Sequence, residues 1–290
     1  MEILQQYWMD SFNNVQLSKR QDDWWSRLDN LCKKRNAEIV KINGQGHIFH
    51  QLRQENIDTC HYQMHLTFLI KQDEHLYVEE RVTPFTCTIR DGNIVKHEEI
   101  LNVDHTSEDS VNAKAMELVT DSTQVSERFT YNRQQAVQYA EHWWNSYNPT
   151  YRVFDVDCTN FISQCLHAGG APMWGTPNRS KGWWYQGNNW SYSWAVAHSM
   201  RWYLSGATQG VKGVEMESPE ELLPGDVICY DFQGDGRWDH TTIVVAKDAY
   251  GMPLVNAHTD NSRHRYWSYE DSTAWTPNIK YKFFHIQSVT

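Results

Sequence analysis

Cys158 at the head of one segment and His240 at the head of another have the residue types of a nucleophile and its base. In DVDCTNFISQCLHAGG, Asp157 reads as an N-cap and Gly169-Gly170 as a stop, which predicts a helix over 158–168. Unpaired N–H groups and the positive end of the helix dipole would favour a thiolate in the first turn and lower its pKa. The same N–H groups could donate to an oxyanion formed beside the sulfur. Cys158, Phe161, Ile162, Cys165 and Leu166 form one stripe, so the thiol points toward whatever the helix packs on. A plainer reading makes Cys158 one more buried thiol of that stripe. Cys165, two turns deeper, is assigned to the core.

His240 opens the strand HTTIVVA after the Gly-rich turn DFQGDGRWD. Alternation puts His240, Thr242 and Val244 on one face and Thr241, Ile243 and Val245 on the other, so Asp239 points away from the imidazole. A third group that fixes the ring could be Asn256, His258 or Asp260, which share one parity on PLVNAHTD; alternation leaves the three open. The chemistry such a set can do is acyl transfer. The thiolate attacks an amide carbonyl, the imidazole protonates the departing amine, and water releases the acyl-enzyme.

The same turn has part of a metal-loop pattern. Asp231, Asp235, Gly236 and Asp239 fall at positions 1, 5, 6 and 9 of an EF-hand pattern, but Gln233 at 3 and Thr242 at 12 break it, so a plain hairpin turn and no cofactor are expected. Six of the 14 tryptophans lie between residues 174 and 202. Trp183, Trp184 and Trp190, on an irregular Gly/Asn-rich stretch, and Asp157 are candidates for the substrate cleft; the competing reading is that the rings plug the stretch onto the core. Trp194 and Trp202 follow helical spacing with His198 and Arg201 and read as structural.

These residues need a scaffold. Residues 2–37 show helical periodicity, with Trp24, Leu28, Leu31 and Cys32 on one stripe. Alternating runs follow at 62–70 and 85–89, then the Asp91-Gly92 turn and a further strand. The polar stretch 104–128 reads as a linker. The expected organisation is an α+β N-terminal domain over 1–125 and a helix-on-antiparallel-sheet domain over 126–290.

A formal net charge of −10 argues against non-specific nucleic-acid binding and against clinging to anionic membranes. No apolar stretch approaches the roughly 20 residues of a membrane span. The segment MEILQQYWMDSFNN has acidic and amide residues where a secretory leader has a basic segment and an apolar run, so the default expectation is a cytoplasmic address. The six cysteines form no zinc-ligand spacing.

The block DCTNFISQCLHAGGAP, followed by LLPGDVICYDFQGDGRWDHTTIVV and PLVNAHTDN, resembles the putative amidase domain found in bacteria, which is similar to the papain-like NlpC and CHAP peptidases. The resemblance covers about residues 130–286. It implies a papain-like C-terminal domain with Cys158 as nucleophile, His240 as base and, by the HTD run, His258 as the orienting residue with Asn256 as alternate. It also implies a peptide or amide substrate, such as a peptidoglycan fragment. The net negative charge sits awkwardly with attachment to an anionic wall. Two other readings use the same residues: transfer of the acyl group to an amine, and an idle module that holds peptide or glycan on the aromatic stretch.

Overall fold

A computed structural model of the chain describes residues 2–13, 24–100 and 128–288. The proposed linker falls almost wholly outside the described residues. The chain divides into two compact units, one of residues 1–101 with 268–273 and one of 102–267 with 274–290.

In the first unit, α1 (Glu2–Asn13) and α2 (Trp24–Lys34) precede an antiparallel meander of β1 (Ala37–Gln54), β2 (Ile57–Gln72), β3 (His75–Arg90) and β4 (Asn93–Glu99). The expected helical region stops at Lys34, and the chain enters a strand at Ala37. Alternation along β2 buries Tyr62, Met64, Leu66, Phe68 and Ile70, and Trp8, Leu28 and Cys32 of the helices join them in one core. Segment 268–273 adds Asp271, whose carboxylate pairs with buried Arg81; Arg81 also pairs with Glu79.

The second unit begins with α3 (Arg133–Trp143), whose N-cap Asn132 accepts from Gln135 N at 3.0 Å. α4 follows at Cys158–Ala168, then a two-stranded hairpin of β5 (Tyr185–Gln186) and β6 (Asn189–Trp190), and the helices α5 (Tyr192–Ala195) and α6 (Ala197–Gly206). The rest is mainly sheet: β7 (Lys212–Met216), β8 (Val227–Asp231), β9 (His240–Lys247), β10 (Pro253–Ala257), β11 (Ser262–Tyr266) and β12 (Lys280–Gln287). They pair antiparallel in the order β11-β10-β9-β8-β12-β7.

One face of this sheet offers Val227, Cys229, Ile243, Val245, Phe284 and Ile286. Against it lie Ala136 and Ala140 of α3 and Phe161, Ile162, Cys165 and Leu166 of α4. Phe161, Ile162 and Leu166 are each fully buried, worth about 1.5–3 kcal/mol apiece, which fixes the roll of α4 and the direction of Cys158. The architecture is mixed α/β with a large antiparallel sheet and few helices. Among the described residues no helix is long and apolar enough to cross a membrane.

Candidate active site

Cys158 is the first residue of α4, whose bounds agree with the predicted helix. Its side chain is buried, at 1% exposure. The sulfur lies 3.7 Å from Thr159 Oγ1 and takes further hydrogen bonds from the backbone and hydroxyl of Thr241. Thr159 Oγ1 and Thr241 Oγ1 are themselves 3.0 Å apart, so these two threonines lock the helix start to β9. Neither was picked out as a site residue from the sequence. The signal was present, since Thr241 sits on the face of β9 that also carries the buried Ile243 and Val245.

The electrostatics differ from the expectation of a lowered thiol pKa. Burial pushes the Cys158 thiol up from its ordinary value, the Thr159 and Thr241 hydrogen bonds pull it part of the way back, and the neighbouring Asp157 charge adds to the rise. Desolvation outweighs the helix dipole because so little of the sulfur meets water. Deeper on the helix, Cys165 is raised well above its ordinary value by burial, with only a backbone hydrogen bond in opposition.

His240 opens β9, as expected, but Thr241 faces α4 and the preceding side chain therefore leaves the other face of the sheet. There its ring lies 5.6 Å from that of Tyr230, its ladder partner, and 6.1 Å from Phe232. The structure thus brings Cys158 together with Thr241 and leaves the imidazole one residue away, across the strand.

Of the three candidate orienting residues, Asn256 and His258 lie on the α4 side and spend their polar atoms there. Asn256 donates to Glu141 Oε1 (3.0 Å) and Ala140 O (3.3 Å) and accepts from His264 N (2.9 Å). His258 puts Nδ1 2.7 Å from Asp157 Oδ2, and its Nε2 lies 2.8 Å from Trp143 O. Neither residue bonds the His240 ring.

Asp157 is the N-cap residue of α4, as expected, and its carbonyl accepts from Phe161 N (2.9 Å), but its side chain makes no capping hydrogen bond. Its Oδ1 accepts from Phe154 N (3.0 Å) and from Asn160 Nδ2 (2.9 Å), and Oδ2 is taken by His258. At 2% exposure, with both carboxylate oxygens engaged inside the protein, it is built into the scaffold of α4.

The tryptophans expected to line a cleft are turned inward as well. Trp183 and Trp184 are fully buried, and Trp190 is 7% exposed. Trp183 Nε1 donates to Ser163 Oγ of α4 (2.9 Å), and Trp194 Nε1 to Asn160 Oδ1 (2.8 Å). Trp190 lies under the guanidinium groups of Arg152 and Arg179, each 5.2 Å from the ring. Gly175 and Gly182 permit this packing: both have positive φ, and a Cβ on either would run into the carbonyl of Lys181 or Trp174. The aromatic stretch is bolted to α4 by polar edges that its hydrophobic character conceals.

The Asp231 loop is a turn. Its Oδ1 accepts from Gly234 N (2.8 Å) and Asp235 N (3.2 Å), and Oδ2 from Gly236 N (2.8 Å). Among the described residues no group of three or more histidine, cysteine or acidic side chains is placed to hold a metal ion.

Comparison with known proteins gives these features a family. The chain is 49% identical over 263 residues, 90% of its own length and 85% of the relative's, to the uncharacterized protein YhbB of Bacillus subtilis (strain 168). It is 30% identical over 143 residues to the uncharacterized protein YjcM of the same organism, which covers 45% of this chain and 31% of that one. No solved structure matches. Residues 130–284, which hold α3, α4, the tryptophan stretch, the strand that opens at His240 and the turn that carries His258, match the family described as putative amidase domain, and the chain belongs to that family.

Proposed function

We propose that this protein hydrolyses an amide bond with Cys158 as attacking thiol, in a C-terminal unit ordered like the papain-like NlpC and CHAP peptidases. The observation that carries the reading is the sulfur's position. It stands at the first residue of an 11-residue helix laid on an antiparallel sheet, within the span that matches the amidase family. N–H groups of the first turn of α4 are the natural donors to the oxyanion of the tetrahedral intermediate.

Burial holds the thiol neutral, so its proton must be removed as attack begins. His240 is the base in this proposal: it is joined by one peptide bond to Thr241, whose backbone and hydroxyl touch the sulfur. This role requires the imidazole to leave its place beside Tyr230 and Phe232 and reach the α4 face of the sheet. The ring takes the thiol proton and returns it to the departing amine, and water then frees the acyl group. The substrate class is peptide or amide material such as peptidoglycan fragments, supported by the likeness to NlpC and CHAP peptidases.

The test is mass spectrometry of peptidoglycan digests and small amide libraries with the parent, Cys158→Ala and His240→Ala. Expected is loss of turnover by about 10³-fold or more for Cys158→Ala, and by about 10²–10⁴-fold for His240→Ala. Full activity in Cys158→Ala removes the thiol from the mechanism.

A second reading, an idle module that binds peptide or glycan, is favoured by the 1% exposure of Cys158 and by the ring of His240 lying across the strand. It predicts no turnover by the parent on any of these amides and unchanged ligand affinity in Cys158→Ala.

A further inference from the structure

Asp157, the residue just before Cys158, is held from two sides by consecutive residues of the turn that leaves β10. His258 Nδ1 meets its carboxylate at 2.7 Å, and Thr259 Oγ1 accepts from its main-chain N–H at 3.2 Å. Thr259 adopts φ +81, a left-handed conformation that costs a β-branched residue energy and persists where the surroundings enforce it. The His258 ring is fixed as firmly. It stacks on Phe161 at 4.0 Å with an interplanar angle of 11°, meets Tyr147 edge-on at 5.0 Å, and is 2% exposed.

The two ring nitrogens of His258 carry a consequence for protons. Trp143 O can only accept, so Nε2 bears a hydrogen. A neutral ring would then aim the lone pair of Nδ1 at a carboxylate oxygen 2.7 Å away, which is repulsive. The short contact requires one shared proton, which makes the pair a charge-assisted hydrogen bond in a dry interior.

We infer that His258 and Thr259 are positioning residues: through Asp157 they set where α4 begins, and so direct the Cys158 sulfur at Thr241. This rests on the reading of Cys158 as nucleophile. His258 thereby takes a role different from orienting the base, since both of its nitrogens are already engaged. Asn at 258 can still donate to Asp157, whereas Leu fills the space and donates nothing. Ser at 259 keeps the acceptor that Ala removes.

Two readouts on the full chain test this. One is the proton spectrum: the parent and Cys158→Ala should both show one exchange-protected imidazole N–H far downfield of the amide envelope, absent from H258L, H258N and D157N. The other is the rate at which iodoacetamide labels Cys158, followed by peptide mass spectrometry. Displacing the sulfur should change that rate by about tenfold or more in H258L and T259A, while H258N and T259S stay within about threefold of the parent. If H258L fails to fold, the Ser and Ala variants at Thr259 still decide. Absence of the downfield proton in the parent, or equal labelling rates in T259A and T259S, overturns the clamp. Turnover that survives Cys158→Ala overturns the nucleophile while leaving the proton signal in place, so the two failures are separable.

Discussion

The two units bury charge in different ways. In the N-terminal unit the deepest carboxylates, Glu79 and Asp271, converge on one cation, Arg81, and all three side chains are at most 9% exposed. In the C-terminal unit the carboxylate nearest the candidate nucleophile, Asp157, faces His258. Arginine keeps its proton at every working pH, so the first arrangement is a fixed fastener. Histidine presents two nitrogens in one fixed plane, so the second places a directed contact with the carboxylate one residue from a thiol. Burial alone therefore does not mark a site, since both clusters are dry. The kind of cation buried, and what it stands beside, separates them.

The sharpest way to break this contrast is Arg81→Met. Truncating the cation leaves two buried carboxylates uncompensated, with an expected loss of about 3–5 kcal/mol of stability in denaturant melts. Hydrogen exchange resolved by peptide should show the loss in β2, β3 and segment 268–273. A loss below about 1 kcal/mol would show that Arg81 is no fastener.

The acid response should separate the units next. His97 is packed among Tyr7, Trp8 and Phe85, with Nε2 2.5 Å from Tyr62 Oη, and burial lowers its pKa from 6.5 to about 4. A depressed histidine takes up its proton more readily when unfolded. Its contribution is therefore complete above pH 6.5 and drains away as the pH falls toward 4. Allowing for its partial exposure, on the order of 2 kcal/mol should be lost across that window. His97→Phe should flatten the profile there, read as denaturant midpoints of the N-terminal unit from pH 7 to 4. A slope unchanged in His97→Phe would assign the effect to another group.

The sequence made some of this legible and hid the rest for reasons of range. α4 was readable because its stripe and Gly-Gly stop are local, and the parity of β9 followed from alternation. Which face of β9 would receive α4 was not readable, because Thr159 and Thr241 lie 82 residues apart and nothing local says they meet. Asp157 had the type and place of an N-cap, yet a histidine 101 residues away claims its carboxylate. Trp183, Trp184 and Trp190 looked like a cleft wall because composition shows a ring's size and not the partner of its N–H. β1 went unread as a strand because most of its residues are exposed and polar, leaving little alternation to detect. The return of 268–273 to the first unit depends on Asp271 finding Arg81, a pairing 190 residues distant that no window contains.

The smallest effect should come from Glu141, and it sharpens the contrast from the other side. Burial raises the pKa of this carboxyl, but hydrogen bonds and charge from His264 and Arg263 prevail and hold it at about 2. The ordinary value is 4.5, so its contribution is present above pH 4.5 and lost as the pH falls toward 2, a window below that of His97. Glu141 also accepts from Asn256 Nδ2, so the carboxylate ties α3 to β10 and to His264 and Arg263. Glu141→Gln keeps the size and one acceptor while removing the charge. It should cost about 1–2 kcal/mol at pH 7 and erase the decline between pH 4.5 and 2. Between pH 6.5 and 4.5 the variant and the parent should then fall in parallel, because that slope belongs to His97 in the other unit. If Glu141→Gln instead altered the slope above pH 4.5, the assignment of that slope to His97 would fail.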